Sequence, residues 1–165
     1  MGRRSTRENK TFYQKKREEA NLTLEEASAL SAGLSAERIA RIERGTARIL
    51  PEDAMLMEEC YKSPGLCNYY CSHECAIGRA SVPEVESKSL EAITVETLSC
   101  VNKLKREQER LLEIVEDGEV RPNEIEDFLK IKETLDRIAA SVRSLQLWID
   151  NRVAEGKLNA SDFEK

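Results

Sequence analysis

Residues 22–45 hold the pattern that most constrains how this chain folds. Two short helices are predicted there, with a tight turn between them at Gly33, where the absence of a Cβ permits a positive φ. Thr23 begins the first helix, because its side chain and that of Glu26 three residues later form a capping box. Ser35 is a favourable N-cap for the second helix. The two helices must therefore meet at a sharp angle and share one core.

The second helix carries the more specific part of this pattern. It reads Gly33-Leu34-Ser35, then three residues, then Ile39-Ala40-Arg41-Ile42-Glu43-Arg44-Gly45. From about residue 12 to residue 61 the chain resembles the Xre/Cro-type family of phage and bacterial repressors. The resemblance implies an all-α fold that begins with a five-helix, lambda-repressor-like helix-turn-helix domain. It also implies a sequence-specific transcriptional regulator that binds double-stranded DNA as a homodimer.

The same resemblance implies which side chains would contact DNA. In this family the second helix of the motif enters the major groove, and its first turn faces the base edges. An arginine there can donate two hydrogen bonds to guanine, whereas a glutamate accepts from cytosine. The candidate DNA-binding residues are Thr23, Ser35, Ala36, Glu37, Arg38, Arg41 and Arg44. Arg17 and Glu43 match positions that form a structural ion pair in the family.

Charge is distributed unevenly along the chain. Residues 1–50 contain 11 Lys and Arg against 7 Asp and Glu, whereas the remainder contains 15 against 24. The positive excess therefore coincides with the part that would contact DNA, on a protein whose net charge is −5. Residues 1–10 include Arg3, Arg4, Arg7 and Lys10. They are interpreted as a basic arm that lies along phosphates, or as a charged tail.

Four of the five cysteines are candidate metal ligands: Cys60, Cys67, Cys71 and Cys75. The whole chain resembles a subgroup of Xre-type regulators that has such a Cys-rich segment and a helical C-terminal region. On one straight helix, Cys67 and Cys75 would be about 12 Å apart along the axis, so one zinc ion could bind two of these cysteines, or all three only if the helix breaks. An iron–sulfur cluster tolerates this spacing better. Buried structural thiols and a redox disulfide are the alternatives, and Cys100 is interpreted as a core residue.

The sequence of the C-terminal half predicts two long helices, of about 28 and 32 residues, separated by a turn at residues 117–123. In the second helix the apolar residues alternate at spacings of three and four: Phe128, Ile131, Leu135, Ile138, Val142, Leu145 and Ile149. This heptad pattern is typical of coiled-coil packing. We expect an antiparallel helical hairpin with a second apolar flank, which pairs with a second copy to make a four-helix bundle.

These observations divide the chain into five parts: a basic arm (1–10), a helix-turn-helix domain (11–62), a Cys-rich linker (63–84), a dimerising hairpin (85–156) and a tail (157–165). No phosphate-binding glycine loop is present and the chain has a single histidine, so we predict no enzymatic activity. The absence of a signal-peptide core or transmembrane run predicts a cytoplasmic location. Two alternatives stay open: an adaptor whose helix-turn-helix no longer binds DNA, and a metal or iron–sulfur redox sensor on the same frame.

Overall fold

The computed structural model describes residues 9–163, and within this range the prediction of an all-α chain is confirmed. The eight α-helices are α1 Phe12–Glu19, α2 Leu24–Leu30, α3 Ala36–Glu43, α4 Pro51–Tyr61, α5 Leu66–His73, α6 Gly78–Ser81, α7 Leu90–Val115 and α8 Ile125–Ala154, with a short 3₁₀ helix at Ala160–Asp162. None of the described helices is both long and apolar enough to cross a membrane. The described residues form two compact units, one comprising residues 9–84 together with 150–163, the other residues 85–149.

The first unit is built around a core of aliphatic and aromatic side chains. Ile39 of α3, Met57 of α4 and Leu66 of α5 are each 0% exposed, and Tyr61 is 4% exposed. Burying each of these aliphatic side chains contributes about 1.5–3 kcal/mol. Short helices such as these are marginal by themselves, so this shared core is what keeps them folded.

The fifth helix of this unit differs from the expectation. The sequence predicts that the helix beginning at Pro51 completes a five-helix domain, but that helix is the fourth, and α5 is the fifth. Leu66 and Tyr70 lie one turn apart on α5 and are both buried in the same core as Ile39. Residues 63–84 are therefore not a connecting segment alone, because their first half completes the hydrophobic core.

The second unit contains α7 and most of α8, and its buried residues differ from the predicted seam. Leu135 and Val142, predicted to lie inside, are 44% and 60% exposed. Thr134 and Ser141 are buried instead, at 1% and 2% exposed. Their hydroxyls donate to the carbonyls four residues earlier, at 3.1 Å and 3.0 Å. Because these bonds satisfy the buried hydroxyls, the small polar residues Thr134 and Ser141 are buried together with Ile131 and Leu147, while Leu135 and Val142 face outward.

Candidate nucleic-acid interface

α3 turns one side to the core and the other to solvent. Ile39 and Ile42 on its inner side are 0% and 3% exposed. Glu37, Arg41 and Arg44 follow one another at spacings of four and three residues, which places them on one stripe of the helix. All three are exposed. The helix thus presents two guanidinium groups and one carboxylate from a rigidly packed element.

The two arginines of this stripe differ in what holds them. Arg44 donates from Nε to the carbonyl of Ala40 at 2.9 Å, so its guanidinium is held against the end of α3. Arg41 forms no ion pair with any other residue in the described range 9–163. Five N–H donors of a planar guanidinium therefore face solvent at Arg41, in the form that pairs with phosphates or guanine edges.

A buried ion pair fixes the inner side of α3 to α1. Arg17 donates from Nε and one Nη to the two carboxylate oxygens of Glu43, at 2.7 Å and 2.8 Å. The Arg17 and Glu43 side chains are 9% and 5% exposed. Arg17 also donates to the carbonyl of Leu22 at 2.6 Å, and its hydrogen bond to the Glu43 carboxylate raises the pKa of Arg17. The predicted structural pair is thus present, and it joins three segments around the start of α2.

A second ion pair links the first turn of α3 to α4. Arg38 donates to Asp53 at 2.5 Å and 3.4 Å, and to the carbonyl of Arg48 at 2.9 Å. Asp53 also accepts from the backbone N–H of Leu50 at 2.8 Å, which caps α4. The Arg38 guanidinium, a candidate base reader in the sequence, is therefore occupied within the domain. Sequence reasoning missed Asp53, although an acidic residue two positions after Pro51 is a helix-start signal.

The remaining candidate DNA-binding residues, Thr23, Ser35 and Ala36, lie at the N-terminal ends of α2 and α3. The Thr23 hydroxyl accepts from the N–H of Glu26 at 3.1 Å, and the Glu26 carboxylate accepts from the N–H of Thr23 at 2.8 Å. Ser35 accepts from the N–H of Arg38 at 3.1 Å, and Ala36 is half-buried. These residues set where the two helices begin, so they position the exposed stripe of α3.

Most of the basic arm lies outside the described residues. Arg3, Arg4 and Arg7 precede residue 9, where the description begins. Lys10 lies inside the described part and donates to Glu18 of α1 at 2.6 Å. Its ammonium is thus directed toward its own domain in this structure.

The four candidate ligand cysteines are not gathered into one group of ligands in the described part of the chain. Within residues 9–163 no group of three or more His, Cys, Asp and Glu side chains is placed to hold an ion. The Cys60 thiol donates to the carbonyl of Ala27, and Cys75 Sγ accepts from the N–H of Gly78, each at 3.4 Å. Cys67 and Cys71 pack against the same hydrophobic core. All four are free thiols, and their contacts favour the interpretation as packing residues.

Burial changes the acidity of two of these thiols. It raises the pKa of Cys67 to about 12, with a further contribution from the Glu58 carboxylate. Burial also raises the pKa of Cys60. Because the thiolate is the metal ligand and the nucleophile, both shifts disfavour the reactive form of these side chains.

An aromatic stack that the sequence did not reveal joins α1 to α5. Phe12 lies parallel to Tyr69 with ring centroids 3.8 Å apart, and Tyr69 is stacked in turn on His73 at 4.2 Å. Lys16 Nζ lies 5.5 Å from the centre of the Phe12 ring. Each such ring pair adds about 0.5–1.5 kcal/mol. Tyr69 is therefore engaged in packing, and the Cys-bearing helix is fixed on α1.

Ser72, His73 and Glu84 lie close together. Ser72 Oγ lies 2.9 Å from the carbonyl oxygen of Asn68, 3.2 Å from that of Tyr69 and 2.9 Å from His73 Nδ1. His73 Nε2 lies 3.5 Å from a carboxylate oxygen of Glu84. The Ser72 hydroxyl thus has backbone partners on its own helix besides the imidazole.

Comparison with known proteins leaves the chain without a match. No family model matches it, and neither the curated proteins nor the solved structures contain one similar to it. A function must therefore be derived from the chain's own geometry. The feature with the clearest chemical capacity is the exposed stripe of α3, held by one ion pair on each side of the helix.

Proposed function

We propose that this protein is a sequence-specific, DNA-binding transcriptional regulator of the Xre type, in which α2 and α3 form the helix-turn-helix and α3 is the recognition helix. The observation that carries the proposal is the fixation of α3. Arg17–Glu43 anchors its inner side and Arg38–Asp53 its start, while Arg41 stays exposed and without an ionic partner among the described residues. A rigid helix with an unpaired outward guanidinium is suited to reading base edges.

The proposal gives the residues of α3 different roles. Arg41 is the base reader and donates two hydrogen bonds to guanine, while Glu37 accepts from cytosine. Arg44 binds phosphate, because its position at the end of the helix places it beside the backbone of the duplex. Arg38 is a positioning residue, since Asp53 occupies its guanidinium. Thr23 and Ser35 position the helices through their caps.

The turn between the two helices supports a helix-turn-helix geometry. α2 ends at Leu30 and α3 begins at Ala36. Gly33 between them has a φ of +143°, a backbone conformation that L side chains disfavour. Ser31 bridges the turn, because its hydroxyl lies 3.3 Å from the carbonyl of Leu34. The turn is thus short and internally hydrogen-bonded, which fixes the angle between α2 and α3.

We further infer that residues 85–149 form an antiparallel helical hairpin through which two copies associate. Arg110 of α7 contacts Asp127 of α8 at 2.9 Å. A carboxylate oxygen of Glu107, three residues earlier on α7, lies 3.4 Å from the hydroxyl of Thr134, seven residues later on α8. Contacts that move toward the N-terminus of α7 thus move toward the C-terminus of α8, as expected for two antiparallel helices. Two linked helix-turn-helix domains bind paired half-sites more tightly than a single domain binds one half-site.

One observation favours the adaptor alternative. Leu24 stands where Xre-type proteins usually have a glutamine that meets a DNA phosphate. In the structure Leu24 is half-buried and packs against the hydrophobic core. An adaptor would use the same packed helices for protein contacts and would have no base preference.

The experiment that tests the proposal is selection of bound duplexes from a random-sequence pool by the purified full chain. A DNA reader is expected to enrich one motif, with two related half-sites about 34 Å apart if the protein binds as a dimer. An adaptor would enrich no motif. A pool that shows no sequence preference after repeated rounds, at salt low enough to retain non-specific complexes, would therefore contradict the proposal.

A further inference from the structure

The apolar residues of α8 form two separate lines. Ile131 and Ile138, seven residues apart, belong to the line that faces α7, where Ile131 is 2% exposed. Leu135 and Val142, also seven residues apart, lie on a second line that is open to solvent. A spacing of seven keeps residues on one side of a helix. The single heptad seam in the sequence thus splits into an inner line and an outer line.

α7 repeats this arrangement. Cys100 and Ile114 are buried at 2% and 0% exposed, and in each case the following residue is a valine. One step along a helix turns the side chain by about 100°, so Val101 and Val115 lie on the same flank of the buried line. Val115 is 47% exposed and Val101 is half-buried.

The opposite flank of both helices is charged. Glu96 and Arg110 lie four residues before the buried Cys100 and Ile114 on α7, and Arg137 lies four residues before the buried Ser141 on α8. A step of four residues back turns a side chain by about 40°, in the sense opposite to the step to the next residue. Glu96 is hydrogen-bonded to Lys88, which lowers its pKa, and the charge of Arg137 acts in the same direction. The flanks after the inner line therefore share the other side of the pair.

That other side is rich in apolar side chains, and we call it the outer face. Its apolar residues are Leu90, Val101, Leu112, Val115, Phe128, Leu135, Val142 and Ile149. Leu112, on the opposite flank of Leu111 from Arg110, is 60% exposed, and Leu90 is 39% exposed. Exposed apolar surface of this extent on a protein marks a contact site.

We propose that the outer face of residues 85–149 binds the outer face of a second copy of this chain, so that four helices enclose one apolar core with the charged flanks outside. This deepens the dimer in the proposed function and rests on it for its biological purpose. It names the surface: Leu135 and Val142 of one protomer pack on α7 and α8 of its partner.

The size of the outer face argues for a second copy as its occupant. α7 has 26 residues, which corresponds to a length of about 39 Å. Two helices at an interaxial distance near 10 Å give a width of about 20 Å. The resulting face of about 800 Å² is what each partner of a stable protein interface buries. A two-helix face against its own copy also closes a symmetric four-helix bundle.

Sedimentation equilibrium of the full chain without DNA tests this inference, with Leu135→Glu as the variant and Leu129→Glu as the matched control. Leu129 is on the same helix and is 55% exposed against 44% for Leu135, but it lies outside the outer face. The wild type and Leu129→Glu are expected to be dimers at micromolar concentration. Leu135→Glu should raise the dimer dissociation constant at least about 100-fold, because the charge enters the symmetric interface twice.

Three outcomes would overturn the inference: a monomeric wild type, a Leu135→Glu variant that dimerises as tightly as the wild type, or equal weakening by both variants. Circular dichroism checks that each variant keeps its helix content. If Leu135→Glu loses it, Val142→Glu at a side chain that is 60% exposed takes its place. Since no DNA is present, a failure here is separate from a failure to read DNA.

Discussion

Replacing Glu43 with Leu should lower the free energy of unfolding by about 3–5 kcal/mol, because it leaves the Arg17 guanidinium buried without its counter-charge. Arg17 is 8% exposed and keeps only its bond to the carbonyl of Leu22. Urea unfolding followed by circular dichroism measures the change. Because the pair joins α1 to α3, the loss should also loosen the helix that carries the exposed arginines.

Two companion variants separate the missing counter-charge from the loss of a glutamate. Glu37→Leu makes the same change on the exposed side of α3 and should cost less than about 0.5 kcal/mol. Arg17→Met with Glu43→Leu removes both charges and should regain most of the lost stability. If Glu43→Leu proved no more harmful than Glu37→Leu, the pair would not anchor α3.

Substituting Gly78 with Ala should destabilise the first unit by about 3 kcal/mol, at the upper end for overpacking. A Cβ at Gly78 would lie 2.7 Å from the carbonyl carbon of Cys71 and closer still to its oxygen. Both atoms are backbone, so they cannot rotate away. α6 would therefore have to move off α5, and urea unfolding of the full chain measures the cost.

Gly45→Ala is the control for this substitution within the same unit. Gly45 has a φ of +70° and nothing within 4 Å of its Cβ position, so its cost comes from backbone strain alone, about 1–2 kcal/mol. Gly78→Ala should therefore be the more harmful of the two. A Gly78→Ala protein as stable as the wild type would show that α5 and α6 do not approach this closely.

Local signals explain what the sequence predicts well. The caps at Thr23 and Ser35 are present because a capping hydroxyl contacts an N–H only three residues away. The helical stop near Gly118 likewise depends on neighbouring residues. Such contacts follow from spacing alone, so the ends of α2, α3 and α7 come close to the predicted ones.

Contacts distant in the sequence explain the rest. Arg38 pairs with Asp53, fifteen residues later, and no spacing rule distinguishes such an arginine from Arg41, which has no ionic partner within residues 9–163. Tyr69 stacks on Phe12 from a segment interpreted as a linker. On α8 the pattern shows which residues are apolar, but the choice of Thr134 over Leu135 for the inner line depends on how closely α7 approaches.

The most direct test of the central claim compares the wild type with Arg41→Ala on one enriched duplex and on a scrambled duplex of equal length. If α3 reads DNA, the dissociation constant for the scrambled duplex divided by that for the enriched duplex should be smaller in Arg41→Ala than in the wild type. The decrease should correspond to about 1–3 kcal/mol of binding free energy, as expected for loss of a bidentate contact to guanine. Lys15→Ala, which removes an exposed charge from α1, should keep the ratio. A wild type without preference, or an Arg41→Ala protein with the full wild-type ratio, would contradict the assignment of α3 as the recognition helix.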